Sequence, residues 1–185
     1  MIITLDGPAG AGKSSAARAL AARLGWCYMD TGAMYRAVTL VALERGVPLE
    51  DATRMAALAD APPVREAMKR IQRRMAEGLD IVTEGRDQGS VVFPHAEVKV
   101  FVTATPEERA RRRHREEQAR GSGLSLADVL ASQAARDDGD RSRAVGAMRA
   151  ADDAVILETD GLAPEEVVDR LVALIETRRG PRGPA

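Results

Sequence analysis

The apolar and polar positions of this chain follow two different periods. Short, mostly apolar runs predict strands buried on both faces, because such strands have no solvent-facing side. Longer stretches with apolar residues three or four positions apart predict amphipathic helices. The runs that indicate strands are Met1–Leu5, Trp26–Met29, Leu79–Thr83, Val98–Thr103 and Ala154–Leu157.

Helical patterns fill the intervals between these runs. They cover Ser15–Leu24, the stretch after Thr31, Leu49–Asp60, Val64–Glu77, the stretch after Thr105, Leu124–Ala135 and Pro164–Arg178. The helix after Thr31 is expected to turn an apolar face inward that includes Val38, Leu40, Val41 and Leu43. Strands alternating with helices predict an α/β fold, with a five-stranded parallel sheet flanked by helices and right-handed crossovers.

The length and charge of the chain restrict the classes of protein to which it can belong. With 185 residues, 45% of them hydrophobic and 30% charged, residues 1–179 are expected to form one domain, followed by a disordered tail over 180–185. The net charge of −1 gives no general basis for binding nucleic acid or acidic membranes. The single cysteine, Cys27, fits a reducing compartment, and its flanks suggest a buried position. We therefore expect a cytoplasmic monomer without nucleic-acid or membrane partners.

The clearest chemical signal follows the first strand. Its residues are Gly7-Pro8-Ala9-Gly10-Ala11-Gly12-Lys13-Ser14, a G-x-x-x-x-G-K-[ST] pattern between a strand and a helix. Glycines let successive backbone N–H groups approach phosphate oxygens, and the helix N-terminus adds its dipole. Lys13 can reach the β- and γ-phosphates, and the Ser14 hydroxyl suits Mg²⁺. The pattern predicts a nucleoside-triphosphate site.

Two further segments place charges at strand ends. Asp30-Thr31-Gly32-Ala33-Met34-Tyr35-Arg36 follows the second strand and Glu84-Gly85-Arg86-Asp87-Gln88-Gly89 the third. Open α/β sheets bind ligands at the carboxyl ends of their strands. The carboxylates suit a hard cation, and the arginine suits an anionic substrate. Arg36 is open to two interpretations, a ligand contact or a solvated helix residue.

Arginine-rich stretches occupy residues 109–143. A nucleic-acid patch is disfavoured, because acids are interleaved and aromatic residues make up only 3% of the chain. A mobile lid that folds arginines over phosphates suits a P-loop enzyme better, and salt-bridged helix faces account for some of these residues.

Together these motifs resemble bacterial cytidylate kinase. The resemblance extends from Met1 to about Arg178 and includes Glu84-Gly85-Arg86-Asp87-Gln88-Gly89-Ser90-Val91-Val92-Phe93-Pro94 and Arg136-Asp137-Asp138-Gly139-Asp140-Arg141-Ser142-Arg143. It implies an adenylate-kinase-like P-loop fold and transfer of the ATP γ-phosphoryl group to CMP or dCMP with Mg²⁺. ATP would bind to Arg112 and to the loop residues Gly7, Pro8, Ala9, Gly10, Ala11, Gly12, Lys13, Ser14 and Ser15.

The resemblance also implies roles for other residues. The acceptor nucleotide would be bound by Thr31, Arg36, Arg65, Arg86, Asp87, Arg136, Asp140 and Arg143. Lys13, Arg86, Arg136 and Arg143 would support the transfer itself. Glu84 stands where the family has an acid near the magnesium water shell, so Ser14 and Glu84 are the expected metal residues.

One departure from the family affects specificity. The family carries a substrate-binding insert of roughly forty residues, and insertions of this kind are tolerated at surface sites. At the corresponding position this chain has only Pro62-Pro63, between Ala61 and Val64. Residues of about 46–66 are therefore expected to form a shortened acceptor-binding region. Two alternatives stay open at this point: a P-loop kinase with a different or broadened acceptor, and an ATP-binding module without transfer activity.

Overall fold

The computed structural model describes residues 1–44 and 61–179. In these residues five parallel strands form one sheet: β1 (Ile2–Asp6), β2 (Cys27–Asp30), β3 (Ile81–Glu84), β4 (Val98–Thr103) and β5 (Val155–Glu158). Six helices accompany them: α1 (Lys13–Leu24), α2 (Thr31–Glu44), α3 (Pro62–Ala76), α4 (Pro106–Ala119), α5 (Leu126–Ser142) and α6 (Pro164–Arg179). A π-helical turn, Gln88–Val92, lies between β3 and β4. The predicted α/β fold is confirmed.

The strand order is β2-β3-β1-β4-β5, so β1 lies at the centre. Its register pairs Leu5 with Glu84 of β3 and with Val100 of β4. In a parallel sheet the carboxyl ends of neighbouring strands share one edge, which is where ligands bind when the chain switches sides. The segments after β1, β2 and β3 therefore converge at that edge.

The hydrophobic core lies between the sheet and helices α1 and α6. Ile3, Leu5 and Leu20 are completely buried there, and Leu171 and Ile175 of α6 are 1% exposed. Thr4 and Asp6, on the opposite face of β1, are also buried, so both faces of this strand are covered. This packing also anchors the segment that follows β1.

Local capping residues define several helix ends. Gly25 ends α1 in a left-handed conformation (φ 69°) that favours glycine. The Thr105 hydroxyl accepts a hydrogen bond from the N–H of Glu108 at the start of α4, as its position before Pro106 predicts. Ser125 and Asp128 form a reciprocal capping box that starts α5.

The predicted end of α5 was wrong. The sequence favoured a helix that stops at Ala135, before a charged segment containing Gly139, but the helix continues to Ser142. Asp137 and Asp140 are 1% and 4% exposed, and both form ion pairs. These buried contacts outweigh the helix-disfavouring effect of one glycine, which costs about 1 kcal/mol.

Two burial predictions were also wrong. Cys27 is exposed, because β2 is an edge strand and this side chain points away from the core. In α2, Leu40 and Val41 are 55% and 45% exposed, whereas the small Ala42 is buried. Val38 is half-buried.

Some sequence predictions fall on other parts of the chain. The Leu49–Asp60 helix, most of the shortened acceptor region and the 180–185 tail lie outside the described residues. Within residues 1–44 and 61–179, no helix combines the length and apolarity needed to cross a membrane.

Candidate active site

The loop between β1 and α1 has the geometry of a phosphate cradle. Gly7, Gly10 and Gly12 have φ angles of 137°, 77° and 87°, a region that side-chain-bearing residues rarely adopt. A Cβ at Gly7 would lie 2.0 Å from the carbonyl oxygen of Val102. Glycine is therefore required here, and the backbone wraps as the motif predicts. The loop fits a triphosphate.

Lys13 begins α1 and is buried, with 5% exposure. Its Nζ donates a hydrogen bond to the carbonyl oxygen of Pro8 at 2.7 Å. Burial, together with the positive charge of Arg86, lowers the pKa of Lys13 to about 7, against the opposing effects of Glu84 and Asp6. Within the described residues the amine forms no ion pair with a carboxylate, and a bound phosphate would supply a negative charge beside it.

Ser14 and Glu84 lie together, as predicted. The Ser14 Oγ donates to Glu84 Oε1 at 3.0 Å, and the Glu84 side chain is otherwise buried. No cluster of three or more His, Cys, Asp or Glu side chains suited to a metal occurs in the described part of the chain. Mg²⁺ is commonly held by one or two protein oxygens together with substrate phosphates, so the Ser14–Glu84 pair fits this ion.

Asp6 is a site residue that the sequence reasoning missed. Its carboxylate accepts backbone hydrogen bonds from Gln88 (2.8 Å) and Gly89 (2.7 Å), at the start of the π-helical turn. Burial raises its pKa to about 6, although these two hydrogen bonds act in the opposite direction. An acid at the end of an otherwise apolar strand was the available signal. Asp6 fastens the turn after β3 to the base of the phosphate loop.

Arg65 and Asp87, both predicted to contact the acceptor, form a buried ion pair. Arg65 Nη2 lies 2.5 Å from Asp87 Oδ2, and the two side chains are 7% and 8% exposed. The guanidinium also lies 5.3 Å from the centre of the Tyr35 ring. Burial raises the pKa of Asp87, while Arg65 lowers it. Gly146 covers this pair, since a Cβ there would lie 2.1 Å from Asp87 Oδ2.

Helix α3, which carries Arg65, is fixed to the π-helical turn by polar contacts. The Gln88 amide donates to Gln72 Oε1 at 3.1 Å, and Thr83 Oγ1 donates to Gln88 Oε1 at 2.9 Å. Arg73 Nε donates to the carbonyl oxygen of Val92 at 2.7 Å. These contacts hold Arg65 against the segment that follows β3.

Arg86, Asp140 and Arg143 form a second ionic group. Asp140 accepts from Arg86 Nε at 2.6 Å and pairs with Arg143 Nη2 at 2.5 Å, and it is 4% exposed. Arg136, one turn earlier on α5, is exposed. Partial desolvation of its guanidinium, together with the positive charge of Arg86, lowers the pKa of Arg136. The structure therefore brings the predicted residues of α5 next to the segment after β3.

The remaining predicted residues lie in different surroundings. Thr31 is 3% exposed and donates to the carbonyl oxygen of Glu84 at 2.6 Å, which joins β2 to β3. Arg36 is 71% exposed and lies 3.3 Å from Asp30. Ser15 is exposed on α1.

Arg112 is held beside the phosphate loop. Its guanidinium donates to the hydroxyl and carbonyl oxygens of Thr159, and its Nη1 would lie 3.8 Å from a Cβ placed on Gly12. Arg112 also pairs with Glu108 of its own helix at 3.0 Å, and Arg111 and Arg113 form ion pairs with acids of that helix as well. The salt-bridged interpretation of the arginine-rich stretch is correct for these three residues.

Comparison with known proteins gives the family. The model of the cytidylate kinase family matches residues 3–61 and 52–177. The chain belongs to the cytidylate kinase family. A cytidylate kinase of Rhodopirellula baltica is 44% identical over 211 aligned positions, covering 95% of this chain and 92% of that protein. One of Carboxydothermus hydrogenoformans is 39% identical over 215 positions, with 95% and 97% coverage.

The alignments also show a difference in length between this family member and its relatives. An alignment of 211 positions is longer than the 185-residue chain, so the relative has residues that this chain lacks. The family model matches in two parts that overlap over residues 52–61. Among solved structures, shikimate kinase from Bacteroides thetaiotaomicron has a TM-score of 0.58 at 20% identity, covering 95% of this chain and 98% of that one. This likeness supports the P-loop kinase fold.

Proposed function

We propose that this chain transfers the γ-phosphoryl group of ATP to CMP or dCMP. The observation that carries the proposal is the set of arginines beside the phosphate loop: Arg65, Arg86 and Arg143 are each held by a buried carboxylate, Asp87 or Asp140. A protein that only binds ATP has no need for such a set. Arginines bind phosphate oxygens through two parallel hydrogen bonds, which orients an acceptor as well as attracting it.

The chain supplies position and charge, and it needs no covalent nucleophile. An oxygen of the acceptor phosphate attacks the γ-phosphorus directly, while the bond to the β-phosphate oxygen breaks. Lys13 and the N–H groups of the loop stabilise the negative charge that moves onto the leaving oxygen. Arg86 and Arg143 align the acceptor phosphate, which lowers the entropic barrier.

Magnesium would be held on the loop side of the site. Ser14 and Glu84 are the residues that fit it, directly or through water, and the ion would neutralise charge between the β- and γ-phosphate oxygens. Asp6 remains hydrogen-bonded to the turn after β3 and orients the backbone around that region.

Asp140 would exchange partners when the acceptor binds. In the structure it accepts a hydrogen bond from Arg86 and forms an ion pair with Arg143, which are the groups that would bind the acceptor phosphate. An incoming phosphate would take over these guanidiniums and free Asp140 for the acceptor's hydroxyl groups. Because Arg136, Asp140 and Arg143 belong to one segment, this exchange would bring α5 over both substrates.

Specificity for cytosine is the part of the proposal most affected by the shorter chain. The relatives have residues that this chain lacks, and the resemblance to the family would place them before the position of Arg65, where they would supply contacts to the base. Asp87 stays close to the acceptor position, although Arg65 already engages it at 2.5 Å. Hydrogen-bonding contacts to a substrate can contribute several powers of ten to discrimination. We therefore expect CMP and dCMP to be preferred with weakened selectivity over UMP.

The test is acceptor-dependent formation of ADP from Mg·ATP with CMP, dCMP, UMP, AMP and GMP in parallel. We expect activity with CMP and dCMP, its abolition in Lys13→Ala, and a raised KM for CMP or lost turnover in Arg86→Ala. Activity confined to other acceptors would replace the proposed substrate. ATP binding without transfer to any acceptor would favour the binding-module function, and full activity of the Lys13 variant would refute the mechanism.

A further inference from the structure

Arg109 and Asp137 form a buried ion pair outside the acceptor residues. Arg109 Nη1 lies 2.7 Å from Asp137 Oδ2, and their side chains are 5% and 2% exposed. The same guanidinium donates to the carbonyl oxygen of Ala9 in the phosphate loop at 2.9 Å, and its Nε donates to that of Ala104 at 3.1 Å. One side chain of α4 thus joins the loop, the end of β4 and α5.

We propose that this ion pair is a positioning device for the phosphate loop, a role that rests on the proposed kinase function. Arg109 is a positioning residue and Asp137 is its partner; neither touches the reacting atoms. The contact with Ala9 carries the proposal, because a pair that only joined α4 to α5 would not need to reach the loop.

The planarity of the peptide bond explains how the contact acts. A trans peptide directs its C=O and N–H groups in opposite directions. By holding the carbonyl oxygen of Ala9, Arg109 fixes the direction of the N–H of Gly10 on the other side of the loop. In this motif such N–H groups bind the triphosphate. Without Arg109, this peptide could rotate, because glycine at position 10 offers little resistance to rotation.

Asp137 determines how Arg109 is oriented. It is 1% exposed on α5, one residue after Arg136 and three before Asp140. Gln133, one turn earlier, donates to the carbonyl oxygen of Arg109 at 3.3 Å, and its amide nitrogen would lie 2.9 Å from a Cβ placed on Gly10. Helix α5 therefore packs against the donor loop at the same point where it carries the acceptor-side residues.

The energetic asymmetry of buried ion pairs makes the inference testable. Removing one partner leaves an uncompensated buried charge, which is strongly unfavourable. In Asp137→Asn, the Arg109 guanidinium would turn toward other acceptors or water and release Ala9. In Arg109→Lys, the charge stays, but an ammonium group lacks the planar fork that contacts Ala9, Ala104 and Asp137 together.

The experiment compares Asp137→Asn and Arg109→Lys with Asp138→Asn. Asp138 is the next residue on the same helix, 78% exposed and paired with Arg141. Equilibrium binding of Mg·ATP is measured by calorimetry, together with KM and kcat for each substrate and thermal unfolding. We expect the first two variants to bind Mg·ATP about tenfold more weakly or worse, equivalent to about 1.4 kcal/mol, with a smaller change in KM for CMP. Asp138→Asn should bind like the wild type.

The outcomes separate this inference from the proposed function. If a folded Asp137→Asn or Arg109→Lys variant binds Mg·ATP as the wild type does, the inference is overturned. The proposed kinase function is not affected by that result. An equal rise in KM for both substrates also overturns it, since that pattern indicates general loosening of the domain. If Asp137→Asn does not fold, Arg109→Lys decides. A wild type that binds no Mg·ATP and phosphorylates no acceptor refutes the proposed function instead.

Discussion

Replacing Lys13 with methionine should stabilise the protein while abolishing transfer. Burial lowers the pKa of Lys13 from 10.5 to about 7. Folding therefore disfavours the charged amine by about 5 kcal/mol at pH 6, with each pKa unit equivalent to 1.36 kcal/mol. Methionine fills similar space without this charge, but it loses the hydrogen bond to Pro8, which contributes about 1.5–3 kcal/mol for a charged donor. The net gain is about 2–3.5 kcal/mol.

The gain should depend on pH in a defined direction. The unfolded chain keeps the Lys13 proton up to a pKa near 10.5, whereas the folded chain loses it above about pH 7. The cost of burying the charge is thus complete below pH 7 and decreases as the pH rises toward 10.5. At pH 9 it is about 2 kcal/mol, so the difference between Lys13→Met and the wild type should nearly disappear.

A second buried lysine offers a matched control. Lys99 also donates to the carbonyl oxygen of a proline five residues earlier, Pro94, but it is paired with Asp153 at 2.9 Å. Lys99→Met should therefore destabilise the protein at both pH values. The assay is thermal unfolding without nucleotide and with a chelator, where Lys13→Met should raise Tm at pH 6 by about 4–14 °C for a domain of this size. A lower Tm for Lys13→Met at pH 6, or a difference that increases with pH, would refute the reasoning.

Two further predictions concern other positions. Gly146→Ala should raise the KM for the acceptor at least about tenfold with little change in the KM for ATP, because the added Cβ would collide with Asp87 and Arg65. The control in the kinetic assay is Gly161→Ala, which should behave like the wild type, because Gly161 has the same φ of 70° but open space around it. Cys27 should react fully with a thiol reagent in the folded protein, since it is exposed; a thiol that reacts only after denaturation would show that the edge of the sheet is covered in solution.

The sequence was sufficient for the fold and for much of the site because the relevant signals are local. The strand Val98–Thr103 and the start of α4 after Thr105 match the prediction. The phosphate loop is recognisable because its glycines must occupy positive φ angles within one short stretch. These features depend on neighbouring residues only.

Other features depend on contacts between distant parts of the chain. The position of Cys27 at the sheet edge follows from strand order, which no local pattern specifies. The continuation of α5 to Ser142 depends on its ion pairs with Arg86 and Arg109. The role of Asp6 depends on its hydrogen bond with Gln88 in the turn after β3. The roles predicted for the individual site residues in substrate binding, metal binding and transfer stay predictions, as do the cytoplasmic location and the monomeric state.

The pairing of β1 with β3 has a consequence for redesign of this enzyme. The phosphate loop continues from β1, Arg86, which we propose to bind the acceptor phosphate, follows β3, and the two strands are in register at Leu5 and Glu84. Adjacent strands lie about 4.8 Å apart, so hydrogen bonding within the sheet sets the spacing between the two substrate half-sites. Peripheral segments can then be shortened or exchanged without altering the reaction distance. Grafting new segments ahead of α3 is therefore a direct route to new acceptor specificities on an unchanged transfer centre.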